Sequence, residues 1–163
     1  MRKKIYYAVS VILLFLLQSS LFSHLTVADV VPNLLIIFTA SVATIEGRFD
    51  GCLTGFFSGL LLDVTYGHIL GMYALGYLII GYCTGTTNRL FYKEDITFPI
   101  LMIAASDIAY GIYMYLAGFL IRGRLDFPYY FGHIILPEAV YTVIIAVFLY
   151  RLILLVLMRL DKE

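Results

Sequence analysis

Charge is what this sequence has least of. Only 13% of its residues are Asp, Glu, Lys or Arg, against about 25% in an ordinary soluble domain, so a water-soluble fold is excluded. The net charge is zero and no basic tract occurs, which argues against nucleic acid as a partner. Cysteine is sparse too. Cys52 and Cys83 stand without a CxxC pair or a matching His set and read as small packing residues. His24, His68 and His133 fall at the expected outer ends of helices, but their spacing matches no ligand motif, so no metal is expected. Catalytic signatures are missing: there is no HExxH, G-x-S-x-G, Walker loop or GxGxxG. An intramembrane enzyme would still need a nucleophile or metal held by a base. No catalytic residue and no cofactor is therefore expected.

Apolar residues, by contrast, make up 62% of the 163 positions and recur in long runs from end to end. The runs at about residues 5–22, 30–46, 49–66, 69–85, 97–121 and 133–158 predict an all-α integral membrane protein with six transmembrane helices. The chain is read as a single polytopic domain, residues 1–163, with no room for a soluble one. Arg2, Lys3 and Lys4 before the first run resemble a signal peptide, but no small-x-small cleavage site follows, so the run is read as a retained helix. Pro32 falls in the first turn of the second helix, where a missing N–H is harmless. The short Tyr66-Gly67-His68 turn makes helices 3 and 4 an antiparallel hairpin. Nine of the eleven positive residues (Arg2, Lys3, Lys4, Arg48, Arg89, Lys93, Arg151, Arg159 and Lys162) fall on the side of the termini, and only Arg122 and Arg124 on the other. Both termini are therefore expected in the cytoplasm.

The most organised stretch is Gly51-xxx-Gly55-xxx-Gly59-xxx-Asp63. Four residues are slightly more than one helical turn, so these positions form a slowly winding stripe. In a bilayer such glycines let a second backbone approach closely, and helix 3 is expected to be a central packing helix with its stripe filled from within. An ionised Asp in hydrocarbon costs about 3 kcal/mol on insertion scales, so Asp63 must face protein, water or a partner. Asp107 and Glu138 are the other intramembrane acids, with no cation at their depth. Together the three suggest a proton or ion path, a polar cleft, or simply hydrogen bonds between helices to Ser58, Thr65, Ser106 or Tyr groups. If Asp63 is a polar strut, Asn in its place should be tolerated. A second small-residue face, Ala104/Asp107/Gly111/Gly118 on helix 5, is the candidate for a foreign helix. The outer loop at residues 122–131, carrying Phe127, Tyr129 and Tyr130, is either an interfacial anchor or a docking surface.

Several of these residues, taken together, resemble the rod-shape-determining protein MreD family. The resemblance rests on Pro32-Asn33-Leu34-Leu35-Ile36, the stripe ending in Leu60-Leu61-Leu62-Asp63, Gly67, Gly71-Met72, and Leu136-Pro137-Glu138-Ala139-Val140-Tyr141 before an apolar helix and a basic tail. Asn33 stands where that pattern more often has Asp. The resemblance implies a bacterial inner-membrane protein of the cell-elongation machinery. It would act with MreC as a direct partner, and with MreB, RodA and its paired transpeptidase in lateral wall synthesis, without enzymatic activity of its own. It further implies a helix arrangement similar to the substrate-binding components of energy-coupling-factor vitamin transporters. The leading reading is thus a membrane scaffold binding MreC. A small-molecule-binding subunit of a transporter is the alternative, although the Ala-xxx-Ala docking pattern of that class is missing, since Ile12 follows Ala8. An intramembrane enzyme or proton carrier is the third.

Overall fold

Residues 34–46, LLIIFTASVATIE, carry no charge before the last position. A helix that is apolar all round needs protein or lipid on every side. Here protein supplies it, because every residue from Leu34 to Thr44 is buried and all the other long helices touch this one. The centre of the bundle is therefore this second helix and not the third, which leaves Phe57 and Val64 exposed.

The structure, a computed structural model, describes residues 1–21, 23–26, 29–92, 94–123 and 126–162. Phe22, Lys93 and Arg124, which entered the span and charge expectations, lie outside the described residues. The chain is all-α, 85% helical, with no β-strand among the described residues. Its helices are α1 (Arg2–Ser20), α2 (Leu34–Glu46), α3 (Arg48–Tyr66), α4 (Met72–Thr86), α5 (Thr97–Arg122) and α6 (Phe127–Lys162), with a 3-10 turn at Thr87–Leu90.

Local chemistry explains where these boundaries depart from the hydropathy pattern. Helix α2 starts at Leu34 because the Asn33 side chain accepts from the Ile36 amide at 3.2 Å, an N-cap just after Pro32. Helix α4 starts at Met72, after Gly71, whose φ of +98° is open to glycine at little cost. The largest departure is at α6, which begins at Phe127 rather than near 133. The aromatic segment expected as a loop is its first turns, entered through Pro128, a residue suited to a helix start. Residues Phe131–Ile135 then widen into a π-helical turn before the α-helix resumes at Leu136–Lys162. Pro137 has no N–H for the carbonyl four residues back, and its ring crowds that turn; a widened turn is a known way to absorb such a misfit.

Thr97–Phe119 and Phe127–Lys162 are long and apolar enough to cross a membrane. At 13 and 15 residues, α2 and α4 extend roughly 20 and 22 Å, short of a hydrocarbon core of about 30 Å. The two chain ends meet at one end of the bundle. There the Lys3 ammonium bonds both Glu46 carboxylate oxygens at 2.9 Å and pairs with Asp161, joining α1, α2 and α6. Beside them the Asn88 amide donates to the Thr44 and Ile45 carbonyls at 2.7 and 2.8 Å, closing the C-terminal end of α2.

Candidate functional site

The glycine stripe is an internal joint. A Cβ on Gly51 would lie 2.7 Å from the Gly81 carbonyl oxygen, one on Gly55 would run into the Tyr77 carbonyl, and one on Gly59 would stand 2.5 Å from the Ala74 Cα. The facing surface of α4 has its own small residues, Ala74, Gly81 and Gly85, the last against the Arg48 backbone. Glycine on both helices is what lets two backbones touch along their length. The Gly81-xxx-Gly85 spacing was there to be read in the sequence as the partner of the α3 stripe.

Asp63 ends this joint and has one defined task. Its Oδ2 accepts from the Gly71 and Ala74 amides at 3.0 and 2.9 Å, and its Oδ1 from the Tyr73 amide at 2.9 Å. These are donors at the start of α4, which no residue of α4 itself caps. A buried carboxylate from α3 thus satisfies the free N–H groups of its neighbour, and its charge opposes the positive end of the helix dipole. The partners are backbone amides, not the Ser, Thr or Tyr side chains expected. Asp63 therefore stands apart from the other two acids.

Asp107 and Glu138 come together through Asn33. The Asn33 Oδ1 accepts from the Tyr77 hydroxyl at 2.7 Å and the Asn33 backbone N–H donates to the Thr142 hydroxyl at 3.1 Å, tying α2 to α4 and α6. Asp107 is 3% exposed and faces the Thr142 and Asn33 side chains, while its Oδ1 has no hydrogen-bond partner. Glu138 interacts electrostatically with Asp107 and opens onto a cavity of about 290 Å³. That cavity lies where α1 and α3 end and α2 and α4 begin. Its wall combines the rings of Tyr66, Tyr73, Tyr77 and Tyr110 with Gln18, Ser19, Ser23 and Asn33. Among the described residues, no Lys, Arg or His lines it. Gln18, Asn33, Tyr77 and Thr142 were missed as site residues. Gln18, Tyr77 and Thr142 sit in apolar runs without a motif; Asn33 belongs to the Pro32-Asn33 pattern, but only the fold brings the four together.

The candidate partner face on α5 divides in two. Asp107 is buried and Gly111 packs against Ile135, whose Cγ1 would be 2.9 Å from an added Cβ. This half is used by the bundle itself, because the π-helical turn of α6 leans onto it, and it is not presented to a foreign helix. Ala104 is half-buried. At Gly118 a Cβ would meet none of the described residues within 4 Å; Leu116 and Ile121 on the same helix, and Tyr129 at the start of α6, are more than half exposed. Phe127 and Tyr130 pack on Tyr115 of α5 at 5.1 and 5.2 Å between ring centres, and Tyr129 stacks on His133 at 4.2 Å. The aromatic segment is thus an ordered corner between α5 and α6.

Among the described residues, no three His, Cys, Asp or Glu side chains gather as metal ligands would. No curated protein and no solved structure matches the chain. The family model described as rod shape-determining protein MreD matches residues 1–160. With nearly the whole chain covered, the protein belongs to this family of membrane proteins, which has a structural role in rod shape determination and is not a known enzyme family.

Proposed function

We propose that the protein is a non-enzymatic scaffold of the cell-elongation complex, seated in the bacterial inner membrane, that docks MreC along the outer third of α5. MreB, RodA and its transpeptidase belong to the same assembly in this reading. The observation that carries it is the split of the α5 face. Its inner half is consumed by Ile135, while Gly118 is open among the described residues, with exposed Ile121 one turn along α5 and exposed Tyr129 in the first turn of α6. A small residue flanked by apolar and aromatic side chains suits close approach by a helix from another chain.

Six spans with both termini cytoplasmic complete the proposal. The nine-to-two distribution of positive residues supports it, as does the joining of Lys3 and Asp161 at one end of the bundle. Photocrosslinking in the membrane tests the docking face, with single probes at Gly118, Ile121 and Tyr129 and a control at Leu16, which is 57% exposed on α1. Crosslinks to MreC from the first three and none from Leu16 are expected. Crosslinks from Leu16 alone would move the docking face to α1 and overturn this assignment.

The cavity beside Glu138 favours a second reading, a small-molecule-binding subunit of a transporter. A vitamin-like molecule co-purifying with the protein in mild detergent, without MreC, would decide for it.

A further inference from the structure

The cavity at the head of α2 has a chemical bias of its own. Among the described residues its one acidic or basic lining group is Glu138, which has no hydrogen bond or ion pair there. The neighbouring ionisable group, Asp107, is another acid and not a cation. Around Glu138 stand the rings of Tyr66, Tyr73, Tyr77 and Tyr110, Tyr77 and Tyr110 meeting edge to face at 5.0 Å. Ser19 and Ser23 spend their hydroxyl protons on the Phe15 and Ser20 carbonyls, so their oxygens are left to accept. Carboxylate, acceptor oxygens and aromatic faces without any cation describe a site complementary to positive charge. Rings attract a cation through their quadrupole, and do so more strongly where water is scarce.

We propose that this cavity binds an organic ammonium cation, with Glu138 as its counter-ion and the tyrosine rings as its cage. Its volume of about 290 Å³ falls just below the range for drug-sized ligand sites, about 300–1,000 Å³. That suits a free amine or the headgroup of an aminophospholipid, and not a large molecule. The metal-ion reading is weaker, since no second carboxylate lines the wall beside Glu138 and a hard cation needs several oxygen ligands. This inference is independent of the scaffold reading, because occupancy here makes no demand on the outer third of α5.

The test is equilibrium dialysis of radiolabelled choline against the full-length protein in nanodiscs of phosphatidylglycerol. Saturable binding is expected, displaced by ethanolamine but not by the uncharged isostere in which carbon replaces the choline nitrogen. Glu138→Gln should weaken binding about ten- to hundredfold, as for loss of a charged hydrogen-bonding partner. Tyr73→Leu removes a ring whose hydroxyl has no hydrogen-bond partner among the described residues and should weaken it too; this variant decides the matter if the first fails to fold. Adding phosphatidylethanolamine to the discs separates the sources. If it displaces choline, the natural occupant is a lipid headgroup; if it does not, the occupant is a free amine. Absence of saturable binding, equal displacement by the uncharged isostere, or unchanged affinity in both variants would overturn the proposal.

Discussion

Asp63→Asn separates a structural carboxylate from a proton carrier, and the geometry reverses the expectation drawn from chemistry alone. Asn keeps the size and polarity of Asp, so a polar strut should accept it. At this position, however, both oxygens are acceptors, and all their partners are N–H donors: Gly71 and Ala74 on Oδ2, Tyr73 on Oδ1. Asn offers one acceptor and one NH₂. Its best orientation puts the oxygen at the Oδ2 place, keeping two bonds in weaker, neutral form, and points NH₂ at the Tyr73 amide. A hydrogen bond to a charged group contributes about 1.5–3 kcal/mol against about 1 for a neutral pair, and a buried donor without an acceptor costs about 1–3. The sum is a loss of about 2–7 kcal/mol, a large fraction of a typical folding stability of about 5–15 kcal/mol. Asp63→Leu leaves all three amides without an acceptor and should be worse. The assay is thermal unfolding and monodispersity of the purified variants in mild detergent, set beside rod shape in cells carrying them. A cap predicts instability graded from Asn to Leu, with shape lost in step with folded protein. A fully stable Asp63→Asn protein that fails to support rod shape would refute the cap and put a proton-carrying role in its place.

Two more outcomes follow from named contacts. Gly55→Ala should destabilise by about 1–3 kcal/mol, the usual range for overpacking, because its Cβ collides with the Tyr77 backbone, which cannot turn aside as a side chain would; Val64→Ala, at a residue 72% exposed, should stay within about 0.5 kcal/mol, as read by the same unfolding assay. In a background lacking Cys52 and Cys83, single cysteines at the exposed positions Ser23, His68 and Asp126 should react with an impermeant thiol reagent in intact cells, and one at exposed Arg89 only after lysis; labelling at position 89 in intact cells would invert or break the six-span topology.

The all-α class and the α3 stripe were legible in the sequence because both rest on short-range regularities: apolar run length and the four-residue repeat. What the stripe meets was half legible, since Gly81 and Gly85 repeat the same spacing on the next helix. The central place of α2 could have been read from the absence of any polar face, but the glycines drew attention to α3 instead. The task of Asp63 could not be read, because its partners are backbone amides, which every residue but proline carries and no residue type advertises. The same holds for the start of α6. Hydropathy falls at the aromatic, proline-containing segment, and only a geometry that widens the turn ahead of Pro137 shows that the helix continues through it.

That widened turn also ties the two candidate sites together. Ile135, its last residue, is 2% exposed and seated on Gly111, while Glu138 lies one helical turn further along, at the cavity wall. The outer start of α6 packs through Phe127 and Tyr130 on Tyr115, between Gly111 and Gly118 on α5. One continuous helix therefore carries the aromatic corner at its tip, the Gly111 contact in its π-helical turn, and the cavity carboxylate just beyond. π-helical turns of this kind are frequent at functional sites. In the two proposals made above, a helix docked at Gly118 and a cation bound at Glu138 both sit beside this segment, and each alters the other's affinity only to the extent that it prefers a different conformation of α6.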